Sequence, residues 1–242
     1  MNKRYRKFER LIGDMRRLIE NPESVEERYD LYHLTSQLAG FVDELTVDAE
    51  KVRELLEVAG LLRDSNAQGR LIAEKEILSF LAFLADMCRV RPGLDSEREG
   101  VEDDCGKVLR EIHGFAVGCF SFKRARDTFG GRRRSGAFTI LGAVGPVGDS
   151  TEVIALATLA LEKGGRNEAL AALEFFGAWL NITDKEPDDA LIDSVWRMID
   201  RAESDTGVIA GLDTLVQWGV IGEFEAMTHL DDWREKHGDE AW

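Results

Sequence analysis

The sequence predicts an all-α protein. Apolar residues return every three or four positions along most of its 242 residues, and no segment sustains the apolar–polar alternation of a half-buried strand. Asn-Gly or Asp-Gly hairpin turns between β-branched runs are absent, and only four prolines interrupt the chain. A hydrophobic share of 44% beside 32% charged residues is ordinary for a globular protein, so the chain can bury a core without disulfides or metals.

The elements follow in order. Tyr5, Phe8, Leu11, Ile12, Met15, Leu18 and Ile19 stripe one face of a first helix, which Asn21 and Pro22 end. A second helix runs from about 25 to 45 and carries Tyr29, Tyr32, Leu38 and Phe41. Thr46 and Asp48 open a third, striped by Val52, Leu55, Leu56, Ala59 and Leu62. A fourth, about 68–89, has Leu71, Ile72, Ile77, Leu78, Leu81, Phe83 and Leu84 on more than one side and is expected to be buried. The proline, glycine and charge density of 91–100 reads as a linker. It separates an N-terminal helical region, 1–92, from a second region, 101–242, or is a longer loop in one continuous elongated domain. Beyond it a helix over about 101–126 leads to Phe129–Arg134, and helices at about 149–163 and 187–203 alternate with turns.

The second region contains an internal repeat. Phe138–Val147, Leu173–Ile182 and Leu212–Ile221 are related at offsets of 35 (138 to 173) and 39 (173 to 212), and Trp179 and Trp218 coincide. Such a period suits helix pairs that cannot hide their apolar faces alone but share a continuous core when stacked. The small residues Ala137, Gly142, Ala172 and Gly177 would let neighbouring helices approach closely. The alanine, bulky residue and glycine of Arg133–Gly142 and Asn167–Gly177 resemble the second helix of HEAT-like (armadillo-type) repeats. The third segment departs, with Gly211 and Val216 in place of alanine and glycine. The resemblance is confined to about 131–242 and implies an α-solenoid of stacked antiparallel helix pairs, with an irregular helical bundle as the alternative.

Charge is uneven within a net −15. Residues 1–17 carry seven basic and two acidic side chains, 123–134 six and one, and 183–242 five and sixteen. The acidic third argues against a general nucleic-acid wrap and permits a basic protein partner, although solubility or a high-salt interior would also account for it. Cys88, Cys105 and Cys119 have no metal-binding spacing and read as reduced core thiols. With no secretory signal pattern, and with the least polar stretch, 136–148, far short of a membrane helix, a cytoplasmic protein is expected. The basic first helix, with Lys3, Arg4, Arg6, Lys7 and Arg10, suits a terminal cap better than a membrane surface.

The segment Gly142–Thr151 fails as a phosphate loop, because Asp149 stands where lysine is required; Asp149 with Glu152 reads as a helix cap. Glu225, His229 and Asp232 share a helical face at metal-ligand spacing, but no second such element accompanies them, so no metal or cofactor is assigned. Paired carboxylates such as Asp188–Asp189 read as a solvated face, and no catalytic residue is assigned. Lys123, Arg124, Arg126, Arg132, Arg133 and Arg134 are the candidates for holding a partner or an anion, against a structural reading as ion pairs with acidic neighbouring helices. In HEAT-like arrays a basic residue near the start of the second helix commonly has that structural part. An exposed Trp233, with Trp242, is expected to cover the far end or dock a partner. The expectation is a non-catalytic helical-repeat scaffold, adaptor or inhibitor that binds a protein. Nucleic-acid or anionic-ligand binding through 123–134 comes second, and a helical metalloenzyme third.

Overall fold

The computed structural model describes residues 3–20, 27–45, 48–64, 71–94, 101–120, 128–147 and 150–237. Every regular element among them is a helix. The chain divides into two compact units between Ser121 and Phe122. The helix that includes Arg91–Leu94 packs against the one that begins at Val101.

In the first unit, α1 (Lys3–Glu20) buries Phe8, Leu11, Ile12, Met15 and Leu18 and turns Arg6, Lys7 and Arg10 to solvent, as its stripe requires. It packs on α2 (Glu27–Leu38) and α4 (Ala49–Asp64). A 3-10 turn, Ala39–Phe41, joins α2 to the one-turn α3 (Val42–Leu45). Phe41 meets Phe8 edge to face at 5.7 Å between ring centres. Asp48 starts α4: its Oδ1 accepts from the backbone N–H groups of Glu50 at 3.1 Å and Lys51 at 3.2 Å. Thr46 lies outside the described residues. α5 (Leu71–Leu94) packs against α2, α4 and α6 (Val101–Gly118). It buries Ile77, Leu78, Phe80, Leu81, Leu84, Ala85 and Cys88 but leaves Phe83 half exposed, so it is not buried on all sides.

The second unit holds α7 (Thr128–Val144), α8 (Thr151–Lys163), α9 (Arg166–Thr183), α10 (Asp189–Asp200), α11 (Asp205–Gln217) and α12 (Glu223–His237). α7 lies along α9 and α9 along α11, forming one row; α8 lies against α10 in a second. Across the rows α8 packs on α9 and α10 on α11, and α12 lies on α11. The three related segments fall in the first row. Ala137, Ala172 and Gly211 are all buried, as are Phe138, Leu173 and Leu212, and Leu141, Phe176 and Leu215. The offset of 39 between Leu173 and Leu212 is also that between the helix starts Arg166 and Asp205. Each helix of this row is followed within two residues by a left-handed residue: Gly145 at φ 73°, Asp184 at 51° and Gly219 at 70°. No other described residue has positive φ.

The matching tryptophans are not equivalent. Trp179 is buried inside α9, whereas α11 is shorter and Trp218, half-buried, is its C-cap. The small residues also divide. A Cβ on Gly142 would make ordinary van der Waals contact with Ala178 Cβ at 3.4 Å and the Phe175 backbone at 3.5 Å, so an alanine would fit between α7 and α9. One on Gly177 would meet nothing within 4 Å, whereas one on Gly211 would lie 2.5 Å from Ile199 Cγ1. Gly177→Ala is therefore expected to stabilise the protein by about 0.5–1 kcal/mol, by restricting the unfolded chain and favouring helix. Gly211→Ala gains the same propensity but drives α10 from α11, for a net loss of about 1–2 kcal/mol. Urea unfolding midpoints of the two variants should move in opposite directions.

Among the caps, Asp188 Oδ1 accepts from Leu191 N–H at 2.8 Å and fixes the start of α10. α8 begins instead after Ser150, whose side chain makes no capping bond, and Asp149 lies outside the described residues.

Candidate functional site

Of the six basic candidates, Lys123, Arg124 and Arg126 lie outside the described residues, and Arg132 and Arg133 fall in the first turns of α7. Arg134 crosses to α9. Its Nε donates to Glu168 Oε1 at 2.7 Å and its Nη2 to Oε2 at 3.1 Å, a two-point pair at the row's α7–α9 contact. Both side chains are mostly covered, at 23% and 13% exposure. A guanidinium held this way joins two helices and has its charge answered within the unit.

The acidic helices α10–α12 hold a second set of ionic contacts. Glu162 of α8 accepts from Arg197 of α10, and Ser194 lies beside the same carboxylate at 3.4 Å. Arg201, at the end of α10, lies across the C-terminus of α8. Its Nε and Nη2 donate to Leu161 O at 3.1 and 2.6 Å, its Nη1 to Gly164 O at 2.8 Å, and its Nη2 also to Ala160 O at 3.3 Å. Next to it opens a cavity of 280 Å³ lined by Arg166, Leu170, Met198 and Ser204 among others. Two helix starts and two arginines there suggest an anion, but Arg201 already serves backbone carbonyls.

α12 is fixed at two points. Arg234 donates to Asp205, in the first turn of α11, at 2.8 and 2.9 Å, and the His229 ring lies 5.0 Å from that of Trp196 of α10. Trp233 is buried, contrary to the exposed end-cover expected of it, and stacks on His237 at 4.5 Å. Trp242 lies outside the described residues. With Trp233, Ala226 and Leu230 turned inward, Phe224 and Met227 are left 84% and 65% exposed, the two most exposed large apolar side chains among the described residues. His229 Nε2 comes within 4.0 Å of Glu225, but no three His, Cys, Asp or Glu converge among the described residues, so Asp232 completes no triad.

In the first unit an open cleft of 660 Å³ lies between α4 and α6, lined by Arg53, Glu57, Arg110 and Glu111, with Gly60 and Gly114 also bordering it. Arg53 pairs with Glu111 at 2.7 Å and Arg16 with Glu57, so its charges largely answer one another. Nearby, burial first and then the charge of Glu9 hold the Glu54 carboxyl above its ordinary range, Arg16 opposing and Glu50 and Glu57 adding. Folding therefore disfavours charged Glu54. Its relative contribution is best below the ordinary carboxylate pKa and is lost as pH rises through the raised value. Glu54→Gln should accordingly raise the urea midpoint near pH 7 and give no gain below about pH 4. Burial shifts His113 of α6 the other way for a base, lowering its pKa, so the stability it contributes is present above the ordinary imidazole value and falls away on acidification. Cys88, Cys105 and Cys119 are buried and form no disulfide.

No described helix is long and apolar enough to cross a membrane. No protein-family model, curated protein or solved structure matches the chain. What defines it is thus its own geometry: an all-helical protein whose second unit sets related helices side by side and whose α12 exposes Phe224 and Met227 among carboxylates. The residues missed in the sequence are Arg201, Phe224 and Met227. For the last two the signal was present, because they fall off the inward line of Ala226, Leu230 and Trp233.

Proposed function

We propose that the chain is a HEAT-like helical-repeat protein that binds another protein in the cytoplasm, as a scaffold, adaptor or inhibitor. The observation that carries the reading is the row α7–α9–α11, in which three sequence-related segments bury corresponding residues. Stacking of this kind builds an extended side-chain surface whose sequence is free to vary while the seam between helices is kept, which suits recognition of a protein. The thiols buried without disulfides support a reducing compartment. Isolation of the tagged chain from its native lysate at low salt should recover a partner in stoichiometric amount. Repeated recovery of none would overturn the reading.

A further inference from the structure

The most exposed apolar side chains belong to the helix that also carries the densest exposed acid. On α12, spacings of seven and four residues put Phe224, Asp231 and Glu235 on one outward line, with Met227 at its edge. Glu223, Glu225 and Asp232 flank it, all exposed. Arg234 is committed to Asp205 and only loosely near Asp231, at 3.9 Å, and no ion pair joins Glu223, Asp232 or Glu235 among the described residues. A nearly bare phenylalanine one turn from a methionine is a poor solvent face, and such apolar exposure rimmed by charge marks contact surfaces.

We propose that this outer face of α12 docks a basic amphipathic helix of a partner protein. The assignment rests on the protein-binding reading and adds the surface and the partner's chemistry. Apolar residues of the incoming helix would cover Phe224 and Met227, while its lysines and arginines meet Asp231, Glu235 and Glu223, which sets both register and approach. The charge of the rim decides the occupant. Acidic segments, nucleic acid and anionic lipid are repelled by it. α12 offers no strand edge, so an extended peptide gains no backbone pairing, whereas ridges at three- and four-residue spacing receive a helix. A second copy fits poorly: its α1 presents Arg6, Lys7 and Arg10, but Phe8, Leu11, Ile12 and Met15 are already buried in its own unit.

The test uses the full chain and two labelled synthetic peptides of roughly 18 residues, a Leu/Lys amphipathic helix and its Leu/Glu counterpart, followed by fluorescence anisotropy. The Leu/Lys peptide should bind, more weakly as salt rises, and the Leu/Glu peptide should not. Two surface variants, Phe224→Ser with Met227→Ser and Asp231→Lys with Glu235→Lys, should each weaken binding at least about tenfold while circular dichroism stays unchanged. Absent binding, or binding unaltered in both variants, overturns the assignment. Self-association in sedimentation that the serine variant abolishes also overturns it, since a second copy would then be the occupant. If both variants still recover a stoichiometric partner from lysate, the surface falls and the protein-binding reading stands; if the native chain repeatedly recovers none, that reading falls and the assignment with it.

Discussion

Phe175→Ala is expected to lower the stability of the second unit by about 3–5 kcal/mol, enough to remove much of the margin by which a domain of this size stays folded. Phe175 is 1% exposed and sits where α7 meets α9. Its ring centre lies 6.0 Å from that of Phe138 on the neighbouring helix, and 5.2 and 5.7 Å from those of Phe176 and Trp179 on its own. Truncation removes a large buried surface and leaves a void that three rigid rings cannot collapse to fill, so the cavity penalty adds to the transfer loss. Phe175→Leu keeps most of the volume and should cost about 1–2 kcal/mol. Urea unfolding followed by tryptophan fluorescence checks both, because Trp179 reports directly on the disturbed cluster. A loss below about 1 kcal/mol for the alanine variant would mean that the α7–α9 seam is not the core of this unit.

How much of this was legible beforehand depends on the range of the interaction. Stripes within one helix were readable, as Phe8, Leu11, Ile12 and Met15 show, because their periodicity records which face is covered. So was Asp48 at the start of α4, a cap being a local contract between a side chain and the next few N–H groups. Phe83 was misplaced because an apolar run on several sides of a helix does not say which side lacks a neighbour. The shared tryptophan of the repeat misled for a related reason: residue identity at Trp179 and Trp218 says nothing of helix length, and α11 stops five residues short of where α9 would place its end (183 against 217 at an offset of 39). Arg134 with Glu168, 34 residues apart, was foreseen only as a kind of contact, an ion pair between helices. On α12 the small Ala226 weakened the inward stripe, so Trp233 was placed outside and the outward pair Phe224 and Met227 was passed over.

Arg201 is the opposite extreme, a residue whose part is invisible in the sequence and whose loss should be the second large effect. Replacing it with alanine is expected to cost about 2–3 kcal/mol. Its partners stand 37 to 41 residues away, so no local pattern could mark it. The cost follows from what it covers. The last carbonyls of α8 have no partner within their own helix. Ala160 O accepts the Gly164 N–H at 2.9 Å, leaving Leu161 O and Gly164 O to the guanidinium. A Cβ at Gly164 would lie 2.5 Å from Ala160 O, so glycine is required where the chain leaves α8 and the guanidinium settles on its carbonyls. A positive charge at the negative end of α8 adds to the hydrogen bonds, and the planar fork reaches three carbonyls at once. A lysine brings the charge but a single point of donation, so Arg201→Lys should recover less than half of the loss. Amide exchange distinguishes this account from general destabilisation: at a denaturant concentration well below the midpoint, the alanine variant should lose protection first in the last turn of α8 and the start of α9. Uniform loss across the second unit, or full recovery by lysine, would remove the capping role and leave Arg201 merely a surface charge.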